Sequence, residues 1–350
     1  MTPSPVTQRA TPPEVLARCR DLVRPALVRV VRRLHPWHAE MAAFSLGWNA
    51  ADGTPVPGSQ GKGLRQALAL LGAEAAGAPA REGVVGAVAV ELIHVFSLIH
   101  DDIMDGDETR RQRATAWKAY GTGPAVLAGD ALFAAAVQTL AEAPGPHGAA
   151  AVRLLAGTLT ELVRGQADDL LFESRPWTGP EAVRPHEYRW MAEHKTGALL
   201  GCAAGLGAVL AGAPATTAEA LTRAGRHLGV AFQAVDDLLG IWGDPEVTGK
   251  PVHNDLRRLK KTYPVLAALT TDHPAARRLA ALLDTGIPLD DTTARRAAGL
   301  VEEAGGRRAV LTEAQQQLEQ ARRSLEDVPL APAALGEILG LLPFVVDRTG

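Results

Sequence analysis

Two aspartate-rich segments interrupt otherwise apolar helical stretches, Asp101-Asp102-Ile103-Met104-Asp105 and Asp236-Asp237-Leu238-Leu239-Gly240. Residues four apart share one face of a helix, so Asp101 and Asp105 point together, with Asp102 at their edge. Gln233, Asp236, Asp237 and Asp244 also fall on one stripe by helical period. Carboxylates this close in an apolar bundle repel one another, and some stay protonated unless cations join them. Magnesium suits such sites, because it takes one or two carboxylates together with phosphate oxygens and water. Asp101, Asp102, Asp105, Asp236 and Asp237 are the candidate ligands. The competing reading pairs them with Arg110, Arg111 and Lys195 as plain ion pairs. The repeated geometry argues instead for two acidic stripes facing each other across a polyphosphate.

Cationic groups suited to diphosphate surround these stripes. Lys62 and Arg65 follow a glycine-rich turn (GSQGKGLR), Arg110 and Arg111 come just past the first stripe, and Lys195, Lys250 and Lys260 accompany the second. Together they exceed what one diphosphate needs. A nucleotide-binding P-loop is excluded, since Gly63 follows Lys62 where Ser or Thr is required and Val56 stands in place of the first Gly. Of the 36 basic residues only six are Lys, and four of those lie in these motifs, where a compact point charge differs from a planar fork. His94 precedes Asp101 by two helical turns on the same face and is placed to donate to a second anion; His100 reads as structural. Lys195-Thr196 and Gln233 point to chemistry. A carbocation left by a departing diphosphate is stabilised by preorganised dipoles such as a Thr hydroxyl and a Gln carbonyl.

Helices must position these groups. Apolar residues recur at helical spacing, Ala and Leu dominate, and alternating β-branched runs are few, so the fold class is all-α. The pattern predicts helices at 13–34, 37–50, 63–76, 82–106, 114–119, 124–142, 147–173, 185–212, 216–243, 256–270, 274–283, 291–301, 305–326 and 331–346. Connectors are short and rich in Gly and Pro, which favours antiparallel neighbours in a bundle. No linker divides the 350 residues, so 13–350 reads as a single domain. Residues 1–12 carry too little apolar surface to order themselves and are expected to be disordered, available for tethering to a partner. The chain shows no secretory signal pattern. It also lacks an uninterrupted apolar run of about 18 residues, so no membrane span is expected and the cytoplasm is the expected location. Cys19 and Cys202 fit neither a disulfide scaffold nor a zinc spacing. A net charge of -3 and a pI near 6.4 give no case for nucleic acid.

Over roughly residues 40–270 the chain resembles the isoprenyl diphosphate synthase family, and within it bacterial geranylgeranyl diphosphate synthases. The resemblance rests on GKGLR at 61–65, ELIHVFSLIHDDIMDGDETRR at 91–111, GQADD at 165–169, MAEHKTGAL at 191–199 and FQAVDDLLGIWGDPEVTGKPVHNDLRRLKKTYP at 232–264. It implies an isoprenoid-synthase helical bundle around a central cavity, working as a homodimer, with a downstream terpene cyclase as a partner that residues 1–12 would tether. It implies head-to-tail condensation of isopentenyl diphosphate with an allylic diphosphate. Three magnesium ions would be held by Asp101, Asp105 and Asp236, with Asp102, Asp237, Asp169 and Asp255 in support. The allylic diphosphate would meet Arg110, Lys195, Lys250 and Lys260, and isopentenyl diphosphate would meet Lys62, Arg65, His94 and Arg111. Small Ser97 leaves the path of the growing tail open, and Phe96 would set its floor at about the geranylgeranyl length, although an ideal helix turns Phe96 about 140° from Asp101. Farnesyl diphosphate is the next product. A class I terpene cyclase shares the all-α fold and first acidic motif but needs no second diphosphate site. A noncatalytic partner subunit needs neither acidic motif. Three positions depart from the family pattern: Gly240 replaces the third Asp of the second motif, with Asp244 one turn on as a substitute, Gln112 stands where Gly is usual, and Gln66 where Pro is usual.

Overall fold

The computed structural model describes residues 10–56, 61, 63–245 and 251–346, without the side chains of 345 and 346. Lys62, Lys250 and residues 1–9 of the amino-terminal segment lie outside the described residues. The first helix, α1 (Pro12–Arg32), already begins inside the segment expected to be disordered. Thr11 backbone N and Oγ1 each donate to Glu14 Oε2 at 2.8 Å and anchor its start.

Behind it follow α2 (Pro36–Ser45), α3 (Leu64–Ala75), α4 (Val84–Met104), α5 (Ala116–Tyr120), α6 (Thr122–Ala141) and α7 (Gly148–Ser174). The second half holds α8 (Pro185–Ala192), a π turn at Glu193–Gly197, α9 (Ala198–Leu210), α10 (Ala215–Trp242), α11 (Asn254–Arg257), α12 (Tyr263–Leu269), α13 (Pro274–Leu283), α14 (Asp291–Glu303), α15 (Gly306–Arg323) and α16 (Pro332–Val346). The all-α expectation holds. One apolar core gathers α1, α3, α4, α6 and α9, including Leu70, Leu92, Ile93, Leu132 and Leu206. A second gathers α8, the carboxyl half of α10 and α12 to α15, including Leu238, Ile241, Leu266 and Leu279. Helix α10 contributes Leu228 to the first core and Ala234 to the second, so Gln233 to Asp237 lie where the two meet.

Two helical segments, Ala80–Met104 and Thr122–Ala141, are long and apolar enough to cross a membrane by length and composition, although Glu91 and Asp101 interrupt the first and Asp130 the second. Their composition has a packing explanation. Helix α4 runs through the first core against α3, α6 and α9, and it ends in the first acidic stripe.

Two predicted helices are interrupted. The helix expected over 185–212 passes through the π turn that carries Lys195 and Thr196. The helix expected over 256–270 breaks between α11 and α12, where Leu259 takes a left-handed φ of 54° and Pro264 starts the next helix. Lys260 lies in that break.

The pairing of β1 (Thr109–Arg110) with β2 (Arg113–Ala114) forms a small hairpin beyond α4. Its two-residue turn, Arg111-Gln112, has φ values of 50° and 60°, the left-handed pair that such turns require. Non-glycine residues are strained there, which explains the family's usual Gly at 112. Gln112→Gly is expected to raise the unfolding free energy by about 0.5–1 kcal/mol, read from urea denaturation, whereas Gln112→Ala should gain nothing. A lower midpoint for the glycine variant would contradict this account.

Candidate active site

The first Asp of each acidic pair is partly exposed and the second is buried. Asp101, at the end of α4, sits with Asp105, Asp169 of α7 and Lys195. Burial pushes its carboxyl up to about 6, Lys195 pulls it down, and Asp105 and Asp169 push it up. Lys195 Nζ donates to Asp169 Oδ2 at 2.7 Å, and Lys260 Nζ to Asp105 Oδ2 at 3.2 Å. Burial pulls the Lys195 ammonium down, but Asp101, Asp169 and Asp105 more than offset it.

Asp102 and Asp237 were grouped with the metal ligands by sequence; the structure turns both inward. Asp102 Oδ1 accepts from Arg110 Nε at 2.8 Å and Nη2 at 2.7 Å, so Asp102 holds Arg110 in place. Asp237 Oδ1 accepts from Tyr188 Oη and Gln233 Nε2, each at 2.9 Å, and Oδ2 accepts from Tyr263 N at 3.0 Å. Burial pushes the Asp237 carboxyl up to about 7 against these three donors. Consecutive residues on a helix point about 100° apart, so one member of each pair reaches the cleft and its neighbour reaches the protein.

Asp237 thereby orients the residues expected to face a carbocation. It fixes the Gln233 amide, whose Oε1 accepts from Thr196 Oγ1 at 2.9 Å. The π turn bearing Thr196 packs tightly on α7: a Cβ on Gly165 would lie 2.3 Å from Lys195 N. Only glycine allows that approach. π-Helical turns recur at functional sites because they re-aim side chains, and here Lys195 is delivered to Asp169 and Thr196 to Gln233.

A cavity opens beside this cluster, lined by Gly61, Arg65, Glu91, His94, Arg111 and apolar residues including Leu98, Phe232 and Phe344. The structure thus brings Arg65, His94 and Arg111 together. Arg65 Nη1 lies 3.4 Å from His94 Nε2, which must accept because the guanidinium has no lone pair to offer. Burial, with Arg65, Arg111 and Arg110 adding to it, holds His94 well below the ordinary imidazole range, so the ring is neutral. Arg65 Nε is buried with no hydrogen-bond partner among the described residues. Sequence reasoning missed Glu91, although it lies one turn before His94. Burial raises its carboxyl, while the Gln66 side chain bonds it and Arg65 and Arg111 attract it. Gln66, the departure from Pro, therefore supplies a donor that Pro lacks.

Phe96 and Ser97 do not line this cavity. The Phe96 ring packs on His100 (centroids 4.7 Å apart) and on Phe133 of α6 (5.5 Å), and Ser97 Oγ donates to its own helix at His94 O. His100 Nε2 lies 3.3 Å from Val126 O, in keeping with a structural role. Among the described residues no three His, Cys, Asp or Glu side chains converge as a ready-made metal cage. The donors at the cleft are nonetheless all carboxylate oxygens, which fit magnesium completed by phosphate oxygens and water.

Asp101 and Asp237 bind their protons more tightly in the folded chain than in the unfolded one. The stability they contribute is complete below about pH 4 and is lost as pH rises through about 6 and about 7. Asp101→Asn is expected to raise the melting temperature of metal-free protein at pH 8 and to leave it nearly unchanged at pH 4. Equal shifts at both pH values would rule out Asp101 ionisation as the cause.

The polyprenyl synthetase family model matches residues 54–298. The chain is 44% identical over 346 residues to the (2E,6E)-farnesyl diphosphate synthase of Mycobacterium tuberculosis, covering 98% of this chain and 94% of that one. It is 43% identical over 319 residues to the geranylgeranyl diphosphate synthase of the same organism, covering 91% and 90%. The crystal structure of a polyprenyl synthetase from Streptomyces coelicolor superposes with a TM-score of 0.89 at 45% identity, covering 95% of this chain and 98% of that one. A geranylgeranyl pyrophosphate synthase from Corynebacterium glutamicum, solved with calcium and isoprenyl diphosphate, gives 0.78 at 29% identity, covering 98% and 100%. With this match along nearly its whole length and both acidic stripes at one cleft, the chain belongs to the polyprenyl synthetase family, the prenyltransferases that are isoprenyl diphosphate synthases.

Proposed function

We propose that the protein condenses isopentenyl diphosphate with an allylic diphosphate and releases geranylgeranyl diphosphate. The observation that carries this reading is the pairing of two anion sites, one built on Lys195, Lys260 and Arg110, the other on Arg65, His94 and Arg111. A cyclase needs only the first. Asp101, Asp105 and Asp236 would hold magnesium, with Asp169 and Asp255 in support; the calcium and isoprenyl diphosphate of the Corynebacterium glutamicum structure support a divalent ion here. Bound magnesium supplies neutralisation of the charge that develops on the leaving diphosphate.

Arg110, Lys195 and Lys260 grip the allylic diphosphate. They exchange their present carboxylate partners for phosphate oxygens as the diphosphate enters, and neutralise it as the C–O bond breaks. The Gln233 carbonyl and Thr196 hydroxyl, held by Asp237, face the allylic cation. Arg65 and Arg111 hold isopentenyl diphosphate so that its double bond attacks the cation, and the proton then lost from the adjacent carbon passes to the released diphosphate. Lys62 and Lys250 would join these two sites. The exposed apolar residues Leu127 and Phe133 of α6 and Val163 and Leu171 of α7 support a homodimer.

Product length rests on Phe96. Packed edge-on against His100 and tilted against Phe133, it would close the tail's path between α4 and α6. The 44% identity to a farnesyl diphosphate synthase supports the shorter product as a second reading. Incubation with magnesium, isopentenyl diphosphate and each of dimethylallyl, geranyl and farnesyl diphosphate, followed by sizing of the dephosphorylated alcohols, is expected to give a linear twenty-carbon alcohol. A fifteen-carbon alcohol selects the farnesyl reading, cyclic hydrocarbons a cyclase, and no turnover a noncatalytic subunit. In the same assay Phe96→Ala should lengthen the product, and an unchanged distribution removes Phe96 from that role.

A further inference from the structure

Leu259 breaks the helix expected over 256–270 with a φ of 54°, a conformation that a bulky side chain adopts only at a cost in strain. The break has a geometric result. Leu259 packs against the second core, and its neighbours on either side, Arg258 and Lys260, both reach across to the loop that ends α4. They take different atoms of that loop. Lys260 Nζ donates to Asp105 Oδ2 at 3.2 Å, whereas Arg258 Nη2 donates to the Asp105 main-chain oxygen at 2.8 Å and its Nη1 donates to Asp107 Oδ1. One planar guanidinium thus holds two residues at once, a fixed fork that an ammonium does not offer.

Asp107 is placed to receive that grip. Its N donates to Asp102 O at 2.9 Å, and its O accepts from Thr115 Oγ1 at 2.8 Å and Trp117 Nε1 at 2.9 Å, so its main chain is fixed beside the first core and its carboxylate is left for Arg258. The Asp107 side chain is 14% exposed and that of Arg258 35%. A part-exposed pair of this kind adds little to stability. What it does fix is the position of the first acidic stripe relative to the segment that carries Lys260.

We propose that Arg258 is a positioning residue for the first acidic stripe, holding Asp105 in register with the second stripe while Lys260 leaves the Asp105 carboxylate for a diphosphate. The inference rests on the magnesium-diphosphate reading of the cleft and adds a division of labour to it. Lys260 covers a carboxylate oxygen that the metal needs, and must let it go. Arg258 holds a carbonyl oxygen and a carboxylate outside the proposed metal set, so its grip persists through the exchange.

The test is calorimetric titration of the full-length protein with inorganic pyrophosphate at stepped magnesium concentrations, beside the KM for isopentenyl diphosphate and the melting temperature of metal-free protein. Arg258→Met should raise the magnesium needed for half-maximal pyrophosphate binding by about tenfold. The KM for isopentenyl diphosphate, whose proposed site is built on Arg65, His94 and Arg111, and the melting temperature should change little. Arg258→Lys keeps the charge without the fork; it should show most of the same loss, and it keeps the test decisive if Arg258→Met does not fold. Because the grip passes through Asp107, Asp107→Ala and Arg258→Met together should cost less than the sum of the two. An unmoved magnesium requirement in Arg258→Met overturns the proposal, as does full recovery by Arg258→Lys. Fully additive losses, which place Arg258 on the diphosphate itself, and an equal loss at the isopentenyl diphosphate site, which marks a general distortion, overturn it too. A failure of the unaltered protein to bind pyrophosphate with magnesium overturns the site reading itself and the inference with it.

Discussion

Ionised carboxylates held close together at the junction of two apolar cores dominate the design of this molecule. Like charges in a poorly solvated site raise one another's pKa and destabilise the fold unless cations compensate. In the chain by itself, Lys195, Lys260 and Arg110 compensate at Asp169, Asp105 and Asp102. These same cations suit a diphosphate. The arrangement is therefore a set of ion pairs that an incoming magnesium diphosphate can exchange, because it brings positive charge for the carboxylates and negative charge for the lysines and arginine. On the proposed function, plain ion pairing and metal binding, opposed as readings of the sequence, become two states of one site.

That constraint explains the doubling of each acidic pair. On the proposed function, a carboxylate that faces the cleft gives its oxygens to exchangeable cations, lysine now and metal on binding, and leaves the bracing to another group. Its buried neighbour does the bracing. Asp102 holds the arginine at the start of the hairpin, and Asp237 ties α10 to Tyr188 of α8, to Tyr263 of α12 and, through Gln233, to the π turn. Tyr263 extends this brace by donating through Oη to Glu313 of α15, which also accepts from Arg189. The second core is thus coupled to the residues expected to face the carbocation.

Much of this was legible in the sequence because helical period alone places Asp101, Asp105 and Asp236 on common faces, and because apolar spacing is strong in an Ala- and Leu-rich chain. Period could not assign inward or outward roles to adjacent residues, so Asp102 and Asp237 entered the metal set. The π turn was invisible because Thr196 and Gly197 only weaken a helix and do not specify a π turn; tight packing against Gly165 of α7 accompanies it. Glu91 was overlooked because a lone carboxylate on an apolar helix carries no signal until the guanidinium groups of Arg65 and Arg111 are seen beside it. The membrane-length apolar character of α4 reflects its central place in the first core, since a core helix and a bilayer helix both need much apolar surface, while Glu91, His94 and Asp101 mark its polar face.

The three departures from the family pattern have different physical meanings. Gln112 is a cost: it holds a left-handed backbone that glycine adopts without strain, and its hairpin still presents Arg110 to Asp102. Gln66 trades the rigidity of a proline near the start of α3 for a donor to Glu91, a carboxylate at the cavity's arginine cluster. That bond favours an ionised Glu91 beside Arg65 and Arg111 and so tempers the excess positive charge until an anion arrives. Gly240 removes a side chain and admits another from fifteen residues further on. A pattern scored position by position counts all three as losses. At 66 the side chain bonds Glu91 and at 240 the Asp255 carboxylate fills the space beside the glycine, whereas at 112 the departure leaves backbone strain.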